Sequence, residues 1–295
     1  MNIYKKLSKI CNCEKNQDLK QYCSIKIGGS ADYICFPKSV RQVKKLVCFL
    51  TKLKIKYFII GNGTNLIFSS KGYNGVIICL KILNRILIKD NTLTCYAGAS
   101  LFYVNQICEK IGLSGLEFSY GIPGTVGGAT VMNCGAFNGE MKDVIKSVLV
   151  LKGNKISYLK KEQINFSYRK TSLLNNGYVV LKATFKLKKE QSEIIKQRQQ
   201  EILSKRINSQ PYGTLNAGSV FKRKNGESAG KYIDKLGLKG VKIGDVEIST
   251  KHANFFINKN NATSDDVANA VSFVKEKVKN EFNLSLEEEI IFVGE

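Results

Sequence analysis

An α+β fold of two units joined near residue 190 is what this sequence predicts, on three observations. Up to Leu187, short apolar runs of strand character alternate with amphipathic stretches of helical spacing. From Lys188 to Arg206 the chain turns highly polar, with Ile194, Ile195, Ile202 and Leu203 as its apolar stripe, the pattern of a surface helix joining two units. A second mixed stretch then runs to the C-terminus.

Each element has its own signal. Ser39 is placed to cap a helix carrying Val40, Val43, Leu46, Val47 and Leu50. Tyr57-Phe58-Ile59-Ile60 reads as a short, wholly apolar strand, and Val76 to Leu80 as another. Ser100 is placed to cap a helix with Leu101, Val104, Ile107 and Ile111, which Gly112 would end. Val179, Leu181, Ala183, Phe185 and Leu187 alternate as a half-buried strand. Ser264 starts a helix with Val267, Val271, Val274 and Val278 on one face, and a last strand-like run covers Glu289 to Val293.

Composition narrows the function classes. The 295 residues are 43% apolar and 24% charged, which excludes a disulfide miniprotein, a coiled coil and a disordered tail protein. No apolar run approaches the roughly 20 residues of a membrane-spanning helix. Met1 to Cys13 lacks the apolar core of a signal peptide, so a cytoplasmic protein without membrane association is expected. The net charge is +22, but the excess is spread along the chain. Steering of an anionic substrate or capture of nucleic acid would need a focused patch, so diffuse solvated charge and no stable nucleic-acid partner are expected. The nine cysteines form no C-x-x-C pair and the chain has one histidine, so no metal site is expected.

Several motifs could carry chemistry. Gly61-Asn62-Gly63-Thr64-Asn65-Leu66 follows the apolar strand and reads either as a tight turn or as a nest of backbone N–H groups for a phosphate. It is not a dinucleotide-binding turn, because Leu66 stands where a third glycine belongs and no helix follows. The run Gly121 to Ala129, with Asn133 and Gly135 beyond it, suggests backbone packed closely against a flat or extended ligand. In Phe166-Ser167-Tyr168-Arg169-Lys170, the arginine is either an exposed strand-edge residue or a fork for a carboxylate. Ser219, in Ala217 to Lys222, is either a turn serine or a proton donor. Glu287-Glu288-Glu289 is either a solvated run or, on a strand, turns Glu287 and Glu289 to one face. His252 has the options of a structural hydrogen bond and a ligand contact.

Taken in order, these segments resemble the UDP-N-acetylenolpyruvoylglucosamine reductase family. The matching stretches are Ile27 to Asp32, Gly61 to Leu66, Leu113 to Phe118, Gly121 to Gly128, Tyr168-Arg169-Lys170, Gly218 to Lys222, and Lys251 to Phe255, almost the whole chain. The glycine-rich stretches recur in related flavin folds; the serine and Lys-His-Ala-Asn stretches are more particular to this family.

The resemblance implies a vanillyl-alcohol-oxidase-type FAD-binding region of two α+β lobes, residues 1–80 and 81–190, and a C-terminal α+β substrate-binding domain, residues 200–293. It implies noncovalent FAD on Gly61, Asn62, Gly63, Thr64, Asn65, Leu66, Gly124, Thr125, Gly127, Gly128 and Asn133. It also implies NADPH as electron donor, a UDP-sugar enolpyruvyl ether as substrate in peptidoglycan precursor synthesis, and a monomer. Arg169, Ser219 and Glu289 fall on the three catalytic positions. Hydride delivered to the enolpyruvyl methylene leaves an enolate-like charge on the substrate carboxylate. Arg169 would stabilise that charge, a neutral Glu289 would share the oxygen by hydrogen bond, and Ser219 would protonate the adjacent carbon. Arg206 and Lys222 are candidates for the nucleotide diphosphate.

Four departures from the family pattern stand out. Tyr120 precedes Gly121 where small residues are common, Arg223-Lys224 replaces the frequent Asn-Pro, and Glu288 stands where a proline is usual. The short stretch from Arg169 to Val179 resembles the subgroup without a tyrosine-bearing loop over the substrate.

Overall fold

A computed structural model describes residues 2–294. They form two compact units that interleave along the chain. Unit 1 takes the stretch up to Lys15, Tyr33–Asn62 and Gly75–Lys205; unit 2 takes Asn16–Asp32, Gly63–Asn74 and the stretch from Arg206. The units therefore do not follow chain order, and one crossing falls inside the Gly61 to Leu66 loop.

Unit 1 packs helices on two sheets. The helix Val40–Lys52 starts at Ser39, whose hydroxyl accepts from the Gln42 N–H. Its buried face is Val43, Leu46, Val47 and Leu50, all at most 2% exposed, each worth about 1.5–3 kcal/mol of burial. Tyr57–Ile60 pairs in parallel with Tyr73–Cys79, in a four-stranded sheet completed by Ser30–Phe36 and Asn12–Asp18. A five-stranded antiparallel sheet follows in the order Lys155–Lys160, Ile145–Lys152, Tyr178–Lys186, Thr92–Tyr96, Ile86–Lys89. Its Tyr178–Lys186 strand buries Val179, Leu181, Ala183 and Phe185 as the alternation predicts.

Two expectations need correction here. Ser100 stands at the N-cap of Leu101–Lys110, but its side chain makes no capping bond; the Leu101 N–H goes to the Gly124 carbonyl at 3.1 Å instead. In the helix Ser192–Ser209 the buried positions are Ile195, Gln199 and Arg206, with Ile194, Ile202 and Leu203 only half buried. Two of those three buried residues are polar, so an apolar count misses the docked face. Gln199 Nε2 holds it by donating to the Asn105 carbonyl at 3.1 Å.

Unit 2 is built on an antiparallel sheet in the order Asn216–Ser219, Phe255–Asn258, Val246–Ile248, Lys242–Ile243. The helix Ser264–Phe282, capped by Thr263 and Asp266 in a reciprocal box, buries Val267, Val271, Val274 and Val278. The last strand is Ile291–Val293, parallel to Leu66–Phe68. It begins two residues later than the sequence pattern indicates, and the Glu289 N–H goes instead to the Val220 carbonyl. Among the described residues, no helix is long and apolar enough to cross a membrane.

Candidate active site

In unit 1, Tyr168 and Arg169 are the turn of a hairpin whose strands, Phe166–Ser167 and Lys170–Thr171, pair antiparallel. Arg169 is left-handed at φ 54°, a conformation costing a non-glycine residue roughly 1–2 kcal/mol. Its Nη2 donates to the Gly135 carbonyl at 2.6 Å, and its guanidinium lies 4.8 Å from the Tyr168 ring centroid. It is thus a half-buried turn residue, not a strand-edge one.

Asn133 braces that hairpin. Its amide nitrogen donates to the Ser167 carbonyl (3.1 Å) and to Glu140 Oε2 (2.9 Å), and its oxygen accepts from the Lys142 N–H (3.0 Å). The residue is fully buried. Both amide hydrogens and one of the two acceptor sites on the oxygen are thus used inside the protein.

The glycines separate into two kinds. A Cβ on Gly61 would collide with the Thr125 side chain, and one on Gly127 would come within 2.8 Å of Ala97 Cβ. The Val126 and Gly127 N–H groups donate to the Ala99 and Ala97 carbonyls, at 2.9 and 2.8 Å. Gly127 and Thr125 are buried, so they shape the loop from behind. Gly124 and Gly128 differ: the nearest atoms to an added Cβ lie at 3.6 and 3.8 Å, and both carry accessible surface. Nothing in the protein's own packing demands glycine there, which is what a cradle for a closely approaching cofactor requires. Asn62, whose amide donates to the Pro123 carbonyl (2.8 Å), lines a cleft of about 480 Å³ with Lys81, Ser100, Phe102 and Tyr103.

In unit 2, Gly63 (φ +66°) has no room for a Cβ against the Tyr22 carbonyl, and it is buried, as is Leu66 in its strand. Thr64 and Asn65 keep partial exposure. Asn65 Nδ2 donates to the Glu289 carbonyl at 2.9 Å.

Unit 2 also places the backbone segments that carry Ser219 and Glu289 side by side. Ser219 ends a strand and is half exposed. The next residue, Val220, accepts the Glu289 N–H on its carbonyl at 2.8 Å. Glu287 is separated from this arrangement: its side chain is 72% exposed and paired with Lys222. Lys222 is accordingly an ion-pair residue here, and Arg206 is only 7% exposed in the last turn of its helix rather than on a solvated face. His252 takes the structural option: its Nδ1 accepts from the Asn254 N–H (3.2 Å), and burial pushes its pKa below the ordinary value. No group of three or more His, Cys, Asp or Glu side chains among the described residues could hold a metal ion.

Residues 31–154 match the model of an FAD-binding domain, and residues 210–293 match that of the UDP-N-acetylenolpyruvoylglucosamine reductase C-terminal domain. The UDP-N-acetylenolpyruvoylglucosamine reductase of Clostridium novyi is 42% identical over 100% of this chain and 97% of its own length. This chain belongs to the UDP-N-acetylenolpyruvoylglucosamine reductase family. The Clostridium tetani member is likewise 42% identical, over 96% of the chain and 93% of its own length. The crystal structure of the Thermus caldophilus reductase superposes with a TM-score of 0.81 at 32% identity, covering 95% of this chain and 98% of that one.

Sequence reasoning missed one residue in this family member's unit 2. Asn254 lies within the Lys251 to Phe255 stretch, and its side chain hydrogen-bonds both the backbone N–H and the backbone carbonyl of Phe221. The available signal was an asparagine set among Ala253, Phe255 and Phe256, where only an internally paired polar group can stand.

Proposed function

We propose that this chain is the FAD-dependent, NADPH-consuming reductase that converts UDP-N-acetylglucosamine enolpyruvate to UDP-N-acetylmuramate in peptidoglycan precursor synthesis. The observation that supports its chemistry most is the Ser219–Glu289 arrangement: a hydroxyl and a carboxyl group on backbone segments joined by the Glu289 N–H to Val220 carbonyl bond.

FAD bound to this chain would supply the hydride transfer from NADPH to the enolpyruvyl methylene carbon. Gly124 and Gly128 admit it closely, and Gly61, Asn62, Thr64 and Asn65 are the further residues with surface to hold it. Arg169 binds the substrate carboxylate and stabilises the charge that grows on it; its tie to Gly135 and the Asn133 brace hold it preorganised. Glu289, in neutral form, donates a hydrogen bond to the same carboxylate. Ser219 protonates the carbon next to it. Lys222 and Arg206 are assigned to the diphosphate, Lys222 by exchanging Glu287 for the ligand. The protein works as a cytoplasmic monomer without a nucleic-acid partner.

The half-reactions test this. Ser219→Ala should leave flavin reduction by NADPH nearly intact and slow reoxidation by the enolpyruvyl substrate by about 10²–10⁴-fold. Equal losses in both halves would remove Ser219 as proton donor.

A further inference from the structure

Phe221 lies two residues beyond Ser219, and one side chain claims both polar groups of its backbone. Asn254 Oδ1 accepts from the Phe221 N–H at 3.0 Å, and Asn254 Nδ2 donates to the Phe221 carbonyl at 2.8 Å. The Asn254 carbonyl also accepts from the Val220 N–H at 2.8 Å. Asn254, Val220 and Phe221 are 3%, 2% and 1% exposed, so water cannot take over these bonds.

The reason for a side chain here is topological. The strand Phe255–Asn258 pairs Phe255 with Ser219, but just before it the chain turns, with the Phe255 N–H on the His252 carbonyl at 3.0 Å. Past that turn the partner strand has no backbone in register for Phe221. An asparagine amide, planar with a donor and an acceptor, extends the ladder by one rung. On the opposite edge, the Val220 carbonyl takes the Glu289 N–H and the Glu287 carbonyl takes the Lys222 N–H, at 2.8 and 2.9 Å. Upstream, Gly218 at φ +77° sits inside a register irregularity and leaves the strand bent. The two-residue stretch that carries Ser219 at its head and seats Glu289 at its flank is therefore fixed from Asn254.

We propose that Asn254 is a positioning residue for proton transfer, aiming the Ser219 hydroxyl and setting the seat of Glu289 through Val220 and Phe221. The inference rests on the proton-donor role of Ser219 proposed above.

The test is rapid mixing on the FAD-loaded full chain, with Ser219→Ala, Asn254→Ala, the double variant and Asn254→Asp. Asn254→Ala should be reduced by NADPH within about twofold of wild type and reoxidised by the enolpyruvyl substrate at least tenfold more slowly, as misplacement by an ångström suffices to do. The double variant should be no slower than Ser219→Ala alone, since one residue acts through the other. Wild-type reoxidation in Asn254→Ala, or losses that multiply in the double variant, overturns the positioning role and leaves Ser219 standing. Normal reoxidation in Ser219→Ala overturns the donor reading itself. Should Asn254→Ala fail to fold, Asn254→Asp keeps the volume: ionised, it lacks the donor to Phe221, and protonated, it regains one. Its reoxidation rate relative to wild type should rise as pH is lowered, and a flat ratio contradicts the proposal.

Discussion

In the proposed mechanism Arg169 meets the substrate carboxylate in a planar, two-bond geometry that an ammonium group cannot reproduce. Arg169→Lys should therefore lower the reoxidation rate by about 10²–10³-fold while flavin reduction by NADPH persists; near-normal turnover would take Arg169 out of the site. His252 offers a second prediction at this scale. Burial holds its folded-state pKa below the ordinary 6.5, against the opposing pull of its backbone hydrogen bond and alongside the repulsion of Lys239. The unfolded chain therefore binds the proton more readily. The stability His252 contributes is complete above about pH 6.5 and is lost as pH falls through the lowered value. Protonation of Nδ1 would also break its bond to the Asn254 N–H. Between pH 7.5 and 5 the melting temperature should fall more steeply in wild type than in His252→Gln, and equal slopes would contradict this. Ser219, Arg169 and Glu289 each allow an ordinary structural reading from their local sequence, and only the order of the segments along the chain, matched to the family, proposes them for the site. The bracing bonds of Asn133 and Asn254 are not legible in the sequence, because a brace is recognised by its bonding partners, which lie 34 residues from Asn133 at Ser167 and 33 from Asn254 at Phe221.

Elements whose faces are apolar were read correctly and elements docked by polar groups were not. Val40–Lys52 and Ser264–Phe282 each announce a buried stripe, and that stripe is what packs. Ser192–Ser209 instead docks through Gln199 and carries a buried Arg206, which binary patterning scores as solvent-facing. The glycine segments show the same limit: the sequence marks all of them alike, and only packing separates the two kinds. Gly63→Ala should unfold or cripple the protein, since the left-handed φ and the Tyr22 carbonyl both oppose a Cβ. Gly128→Ala, inside the helix Val126–Val131 with no atom nearer than 3.8 Å to the new Cβ, should leave the apoprotein's melting temperature unchanged or raised, by about 0.5–1 kcal/mol of helix preference. Its FAD affinity, measured by flavin fluorescence, should fall. A stable Gly128→Ala protein with undiminished FAD affinity would remove Gly128 from the cradle.

The whole molecule explains the cysteines better than any local motif does. None of the nine cysteines is in a disulfide and seven are buried, with only Cys48 and Cys134 half exposed. Cys13 and Cys35 lie with their sulfur atoms 3.3 Å apart, and burial pushes the Cys108 thiol up to about 12. A thiol reagent should modify Cys48 and Cys134 in the native protein and the other seven only after unfolding; rapid native labelling of more than two would contradict the packing. What no scan of sequence could supply is the interleaving of the units, because it depends on Leu66–Phe68 pairing with Ile291–Val293 from the far end of the chain.

The central claim is that these residues serve one reaction, hydride and proton addition across an enolpyruvyl double bond. The most direct measurement is anaerobic: reduce the bound FAD, remove excess NADPH, add UDP-N-acetylglucosamine enolpyruvate, and follow the flavin absorbance. Stoichiometric reoxidation with formation of UDP-N-acetylmuramate is the predicted result. A flavin that binds, accepts electrons from NADPH and then stays reduced in the presence of that substrate would contradict the account.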